Sequence, residues 1–391
     1  MTKELLVVGA GNIGRGVIGG LFYESGYRLY LYDIMADRMA ALKEQGHYLI
    51  ARVGAQEARR VRVEGFEVLW EDSDLVEAMT STDLIACCVY EGAFRSICGH
   101  LAQAIRARSA AGKGDMNVLL CVNALGAPAY FNAALRELLS DAPEALDYFE
   151  RHVGICQVMV GMAAMPSTPE LLAEDPFAVT TRLDGHVDID ADHFKGEHPA
   201  VGCVGMVTKG DARIYRKVCA GNMKHCMTAL LGHAEGYEFV ADCYDNARLM
   251  CCVDSAFLEA AAAIQAEYHF DEEDHRQFLE ASAAGIRNRN LKDPIVRVCA
   301  KPISKLRREN RFVSPALLCL KHHILPFYLA MGIAYGLCYR DENDSESVEI
   351  TDFVKAEGVE RAIEKYCGLG EEDWLLRQLI LAQYREAMGR H

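Results

Sequence analysis

Lys217, Asn222 and His225 are the residues whose types and spacing are best suited to chemistry. They lie in the stretch Arg216-Lys217-Val218-Cys219-Ala220-Gly221-Asn222-Met223-Lys224-His225. On an α-helix, at about 100° per residue, their directions fall near 0°, 140° and 80°, roughly an arc that a long lysine stem can close. A neutral amine takes a proton from an alcohol, and an amide and an imidazole can hold the oxygen left behind. The same three residues also fit a helix with a solvated lysine and a satisfied histidine, so the pattern needs a context.

That context starts at the N-terminus. Leu5 to Val8 is a short apolar run of the kind that forms a buried parallel strand, and it leads into Gly9-Ala10-Gly11-Asn12-Ile13-Gly14 and an apolar helical stretch to about Tyr23. Gly-x-Gly-x-x-Gly between a strand and a helix is the fingerprint of dinucleotide binding. Gly9 would permit the tight turn, Gly11 the approach of backbone to pyrophosphate, and Gly14 the packing of helix on strand. The helix N-terminus then offers its unpaired N–H groups to phosphate. A second apolar run, Leu29 to Tyr32, ends at Asp33, which lies 22 residues after Gly11. An acid there suits the ribose hydroxyls of NAD and repels the extra phosphate of NADP.

The chain has 391 residues, enough for two domains with substantial cores. Its net charge of −15 argues against nucleic acid and anionic membrane as general partners. The 15 cysteines form no Cys-x-x-Cys pair, so zinc spacing is missing and a disulfide framework is not expected. No signal peptide is visible, because the first apolar residues already belong to the nucleotide strand. The longest apolar stretch, Ile324 to Tyr339, is short of a membrane span and carries Pro326 and two glycines. The expectation is a soluble, cytoplasmic, metal-independent protein, a monomer or small homo-oligomer acting on a small molecule.

Further strands are expected at Val68–Trp70, Leu84–Val89 and Val118–Val122. Helices are expected at Ala36–Gln45, Ser73–Ser81, Phe94–Arg108 and Pro128–Leu139. This alternation predicts a Rossmann-type, doubly wound parallel sheet. From Phe149 to Val207 the apolar runs are short and proline-interrupted, consistent with extra strands and a connection. Beyond Asp211 the pattern is helical: Ile214–Tyr237, Ala247–Tyr268, Asp274–Arg287, Ser314–Tyr339 and Val359–Met388, with Asp341–Ser347 a polar loop. The expected division is therefore α/β for residues 1–207 and all-α for residues 208–391, with Lys217 opening the second part, near the cleft where substrate would meet cofactor.

The glycine motif with Arg15 and Gly16, the Lys217-x4-Asn222-x2-His225 pattern and the chain length together resemble the polyol-specific long-chain dehydrogenase/reductase, or mannitol dehydrogenase, family. Further matching segments are Cys121-Val122-Asn123, Phe194-Lys195-Gly196, Asn290-Leu291-Lys292-Asp293, and Arg297-Val298-Cys299 through Lys305-Leu306. The resemblance implies an NAD-dependent oxidoreductase that needs no metal. It would interconvert a sugar alcohol, of the mannitol 1-phosphate type by length, with a ketose of the fructose 6-phosphate type. It implies Lys217 as general acid and base, and Asn222 and His225 as the groups that orient and polarise the reacting oxygen. Asn123 would lie near nicotinamide and substrate, and Arg297 and Lys305 would bind substrate.

Two positions depart from the family pattern. Val160-Gly161-Met162-Ala163 stands where the family reads Val-Asp-Arg-Ile, and Lys224 replaces a small residue just before the histidine. Lys224 either reaches solvent from a helix edge or adds positive charge to the site, lowering the basicity of Lys217 or binding an anionic substrate. Between Arg287 and Arg311, nine basic residues stand against Asp293 and Glu309. That run reads as a solvated face or an anion-binding surface. A uronate or other hydroxy acid is the rival substrate, and a non-catalytic NAD-binding homologue the rival from another class.

Overall fold

The computed structural model describes residues 3–54, 57–165, 167–183, 185–284 and 293–389. The chain divides into two compact units, Met1–Ile214 and Tyr215–His391. The expected break at 207/208 falls at the end of the last strand, whereas the observed one lies seven residues on, at Ile214/Tyr215.

The described strands of the first unit are β1 (Glu4–Val8), β2 (Arg28–Tyr32), β3 (His47–Val53), β4 (Ala58–Glu64), β5 (Glu67–Leu69) and β6 (Leu84–Cys87), followed by β7 (Met116–Leu120), β8 (Val153–Val160), β9 (Ala164–Met165), β10 (Val179–Arg182), β11 (Val187–Asp190) and β12 (Val204–Val207). Eight form a sheet in the order β12-β11-β8-β7-β6-β1-β2-β5. From β5 to β8 all neighbours run parallel. The order is the doubly wound one, in which the chain reverses direction across the sheet beside its first strand. Beyond β8 the sheet is mixed, since β11 is antiparallel to β8 and parallel to β12.

A second sheet is ordered β4-β3-β10-β9, with β9 and β10 inside the region expected to hold extra strands. Its β3–β4 hairpin was not expected, although Tyr48, Ile50 and Arg52 alternate inward, as strand residues do. This sheet covers the helix that follows the glycine motif. That helix begins as a π-helix, Asn12–Gly19, and continues as α-helix Gly20–Glu24.

Glycines make the double contact possible. A Cβ on Gly14 would stand 2.1 Å from the carbonyl oxygen of Gly9 and 2.9 Å from Val7 Cγ1 on the strand side. On the other side, a Cβ on Gly16 would lie 2.4 Å from Val179 Cγ1, and one on Gly20 2.6 Å from Ile50 Cδ1. Between them, the buried Arg15 guanidinium donates to the carbonyls of Ala10 (2.6 Å) and Phe177 (2.5 Å), with its plane near the Tyr48 ring. Burial lowers its pKa to about 10. Arg52, also buried, pairs with Glu24 at the far end of the same helix.

The second unit is helical among its described residues. Its centre is the helix Phe327–Cys338, which packs against Met223–Ala234, Ala247–Tyr268, Val313–Lys321 and Trp374–Met388. Gly332 and Gly336 let neighbours close in, because a Cβ at either would meet the Phe312 ring at 2.6 Å or Leu306 Cδ2 at 2.8 Å. Glu259 caps this central helix, accepting from the N–H groups of Tyr328 (3.0 Å) and Leu329 (2.9 Å).

The helix Ala247–Tyr268 is long and apolar enough to cross a membrane, but here its Val253, Ala256, Phe257, Ala260 and Ile264 are core residues. The expected helix Ser314–Tyr339 is two helices, parted where His323 takes a left-handed conformation ahead of Pro326. Val359–Met388 is likewise divided, at Gly368, with φ +62°. The polar segment Asp341–Ser347 leads into a helix, Ser345–Glu357, whose N-cap is Asp344. The end of the expected helix Asp274–Arg287 and the segment Asn290-Leu291-Lys292 lie outside the described residues.

Val179 is β-branched and fixed in a strand, so it has little freedom to turn away from a new methyl group. Gly16→Ala should therefore destabilise the protein by about 1–3 kcal/mol. Thermal unfolding should show a drop of a few degrees in melting midpoint, and an unchanged midpoint would refute the close packing described.

Candidate active site

In the first unit the sheet brings one group of expected residues to a common edge. Val8, Tyr32, Cys87 and Leu120 are register neighbours at the carboxyl ends of β1, β2, β6 and β7. Gly9–Gly14, Asp33 and Asn123 follow directly after three of those ends. This is the edge at which doubly wound sheets bind ligands.

Gly9 has φ +94°, and a Cβ there would strike the carbonyl oxygen of Cys88 at 2.5 Å, so the turn demands glycine. A Cβ on Gly11 would meet no protein atom within 4 Å. Gly11 is thus required neither by packing nor by a left-handed backbone, which fits close approach of a pyrophosphate instead. Asp33 accepts from the N–H of Met35 through Oδ1 at 3.2 Å, directing its carboxylate to the loop after β2. These residues fit a dinucleotide.

Asn123 has support that the sequence did not suggest. Gln157 of β8 is fully buried, and its amide donates to the carbonyls of Leu120, Val122 and Val158, each at 3.2 Å. It holds the end of β7 immediately before Asn123. The available signal was a lone glutamine inside the apolar run Val153–Val160.

In the second unit the decisive feature is local helix geometry. Residues Lys217–Asn222 form a π-helix, and the N–H of Met223 reaches back five residues to the carbonyl of Val218. A π turn takes roughly 4.4 residues, about 82° per residue, instead of the α-helical value. Lys217 and Asn222 are then separated by about 50° around the axis, and His225, three α-helical residues on, falls within about 60° of both. The wide arc expected for an α-helix thus becomes a single stripe. Burial of Lys217 pushes its amine down to about 8, near the operating range of a general base.

His225 has an acid partner. Its Nε2 lies 3.0 Å from Oδ2 of Asp293. The same carboxylate receives a fork from Arg297, with Nε to Oδ1 at 2.6 Å and Nη2 to Oδ2 at 2.5 Å. Burial alone would raise the Asp293 pKa, but the hydrogen bonds from His225 and Arg297 outweigh it and hold it at about 2. In the sequence Asp293 stood out only as the end of a family-matching segment and as one of two acids in the basic run, and its link to His225 is purely tertiary.

Arg297 and Lys305 lie on separate short helices, Ile295–Cys299 and Pro302–Leu306, divided at Lys301 with φ +57°. The Lys305 ammonium donates to the carbonyls of Val298 (2.7 Å) and Ala300, closing the first helix beside Arg297. Its pKa is lowered by burial. Elsewhere in the basic run, Arg308 pairs with Asp373, and the part before Asp293 lies outside the described residues.

Lys224 differs from expectation. It is 4% exposed, with its ammonium 2.8 Å from Asp254, over the Phe257 ring, and donating to the Ser282 carbonyl. Its charge is met inside the fold. The lowered Lys217 pKa comes from burial, so a second ammonium is not its source. At the other departure, a Cβ on Gly161 would lie 2.8 Å from the His186 carbonyl oxygen, and Met162 is 2% exposed, its sulfur 3.5 Å from Arg52 Nη1. Among the described residues, no group of three or more His, Cys, Asp and Glu side chains could hold a metal ion.

Comparison with known proteins gives this arrangement a family. A curated mannitol-1-phosphate 5-dehydrogenase of Geobacillus thermodenitrificans is 29% identical over 367 residues, covering 92% of this chain and 93% of that one. One from Exiguobacterium sibiricum is 28% identical, covering 97% and 96%. Among solved structures, Pseudomonas fluorescens mannitol 2-dehydrogenase in ternary complex with NAD and D-mannitol has a TM-score of 0.72 at 15% identity, covering 100% of this chain and 94% of that one. A D-sorbitol dehydrogenase in substrate-free form has a TM-score of 0.76, also at 15% identity, covering 98% and 93%. At that identity the likeness is one of fold. The mannitol dehydrogenase Rossmann domain matches residues 3–202 and the mannitol dehydrogenase C-terminal domain residues 211–370, so the chain belongs to the mannitol dehydrogenase family.

Proposed function

We propose that this protein is an NAD-dependent dehydrogenase. It interconverts a phosphorylated sugar alcohol, of the mannitol 1-phosphate type, and the matching ketose phosphate, of the fructose 6-phosphate type, with Lys217 as general acid and base. The observation that carries this reading is the stripe of Lys217, Asn222 and His225 on a π turn, with the lysine amine lowered to about 8. The substrate class is supported by relatives that match almost end to end and bear the name mannitol-1-phosphate 5-dehydrogenase.

Gly9–Gly14 and Asp33 would hold the dinucleotide, which when bound accepts or supplies the hydride. In alcohol oxidation the neutral Lys217 amine takes the hydroxyl proton. Asn222 donates its amide N–H to the oxygen as charge develops there. The family resemblance offers Asn123 as a further polar contact to substrate. The exposed Arg297 guanidinium is the cation suited to the substrate phosphate, and it keeps Nη1 for that contact while its other nitrogens hold Asp293. In ketone reduction the roles reverse, and the Lys217 ammonium supplies the proton.

A second substrate reading is favoured by the Gly161-Met162 segment. With the His186 carbonyl close to Gly161 and Met162 buried, neither position offers an acid or a guanidinium to substrate hydroxyls. A site that lacks such an acceptor selects less strongly for a polyol, so a uronate or other hydroxy acid is the alternative. Turnover with NAD on a panel of polyol phosphates, free polyols, uronates and aldonates decides between them. The leading reading requires efficient use of a polyol phosphate and fails if only a uronate or aldonate is turned over.

Lys217→Ala should lower kcat by about 10²–10⁴-fold with NAD affinity nearly unchanged. The pH dependence has a definite sign. Oxidation needs the neutral amine, so its kcat/KM should rise with pH and level off above about 8, while ketone reduction needs the ammonium and should fall there. A Lys217→Ala enzyme with normal kcat, or parent profiles without this opposed limb, would remove the assignment.

Asp33 predicts NAD over NADP, because its carboxylate occupies the loop that a 2′-phosphate would enter. Isothermal titration should find NAD at least about tenfold tighter, a difference of roughly 1.4 kcal/mol. Asp33→Ala should narrow the gap, since it removes the carboxylate that repels a 2′-phosphate. Equal binding of both cofactors by the parent would count against Asp33.

A further inference from the structure

The His225–Asp293–Arg297 contact carries an inference about which proton sits on the histidine, and it rests on the proton-transfer reading above. The Asp293 side chain is 16% exposed, and its backbone is firmly placed. Its carbonyl accepts from the Val240 N–H at 3.0 Å, Pro294 bridges to Phe239, and the Ile295 N–H donates to the Glu238 carbonyl at 3.0 Å. The carboxylate is therefore fixed against the ring, whatever the exposed Arg297 does.

An ionised carboxylate only accepts hydrogen bonds. With Oδ2 of Asp293 3.0 Å from Nε2 of His225, the hydrogen must sit on Nε2. In the neutral imidazole the other nitrogen, Nδ1, then has no hydrogen and can only accept. An acceptor cannot stabilise an alkoxide. It can hold a substrate hydroxyl by accepting that group's hydrogen, which leaves the amide of Asn222 as the neutral donor to the developing charge. The two polar neighbours of Lys217 would thus divide the work, one reading a hydroxyl and the other stabilising the oxyanion.

We propose that Asp293 is a positioning residue that fixes His225 as the Nε2–H tautomer and so presents Nδ1 as an acceptor for a substrate hydroxyl. A purely structural Asp293–Arg297 ion pair would impose no tautomer on His225.

Asp293→Asn separates these cases. Oδ2 serves both Arg297 Nη2 and His225, so the new amide either keeps its oxygen there, which preserves the tautomer, or turns its NH₂ to His225. That NH₂ needs a lone pair on Nε2, which drives the hydrogen to Nδ1. Nitrogen-15 imidazole spectra of the full-length protein, recorded where the ring is neutral and assigned with His225→Gln, report the tautomer directly. The parent should show a protonated Nε2 and a bare Nδ1, and in Asp293→Asn the kcat should follow the tautomer found. With the reversed tautomer kcat should fall by on the order of 10²-fold or more, with the KM for NAD unchanged. Asp293→Ala, which removes the contact without reversing the tautomer, should fall less.

A parent spectrum with the hydrogen on Nδ1 would overturn the proposal. So would an Asp293→Asn protein that reverses the tautomer and keeps its kcat. If the variants do not fold, the parent spectrum alone decides. The spectra need no substrate: the expected tautomer in a protein that turns over no polyol phosphate would defeat the dehydrogenase reading and leave this assignment standing.

Discussion

Everything proposed for the second unit depends on one local departure from α-helical geometry, the π turn at Lys217–Asn222. An α-helix places residues five apart on divergent faces, whereas a π turn brings them close to one another. The Lys-x4-Asn-x2-His pattern makes a poor α-helical stripe and a good π-helical one. A π turn also wastes part of the regular hydrogen-bond ladder, so it persists where the surrounding packing holds it. Here Val218, Cys219 and Ala220 on the opposite side are buried, and the following helix carries Met223, Cys226, Met227 and Leu230 into the core. The polar stripe is in effect set by how tightly the apolar side is anchored.

The first unit solves a related problem by other means. Its glycine-rich helix packs on both sides at once, against β1 through Gly14 and against the second sheet through Gly16 and Gly20. Arg15 ties the nucleotide loop at Ala10 to the segment before β10 at Phe177. The loop that would receive phosphate is thus held from behind by a buried guanidinium, so that its N–H groups need not be reordered when a ligand arrives. Gly11, with open space where a side chain would be, is the position in the motif that packing leaves free.

Much of the architecture was legible because it follows from period and punctuation. The parallel strands read as short apolar runs, the glycine motif sits between strand and helix, and the helical half shows a 3.6-residue period. What was not legible arises from tertiary contact. The β3–β4 hairpin was obscured because Arg52 and the charged residues of β4 dilute its alternation. The π turn has no sequence signal separate from an α-helix. Asp293 and Asp254, which decide what His225 and Lys224 can do, lie 68 and 30 residues away from them in sequence. The long apolar stretches were broken where His323 and Gly368 adopt positive φ, and only the glycine is a conventional signal for that.

Three lysines of the second unit differ in how well they suit the proton transfer proposed for Lys217. Lys224 spends its charge on Asp254 at 2.8 Å and on the Phe257 ring. Lys305 is lowered by burial, yet it spends its donors on the carbonyls of Val298 and Ala300, so losing a proton would cost it part of the cap that closes a helix. Lys217 is lowered to about 8 by burial and shares its stripe with an amide and an imidazole. Desolvation alone does not make a base. It must act on an amine with a neighbour, here the Asn222 amide, that can receive the oxygen the proton leaves.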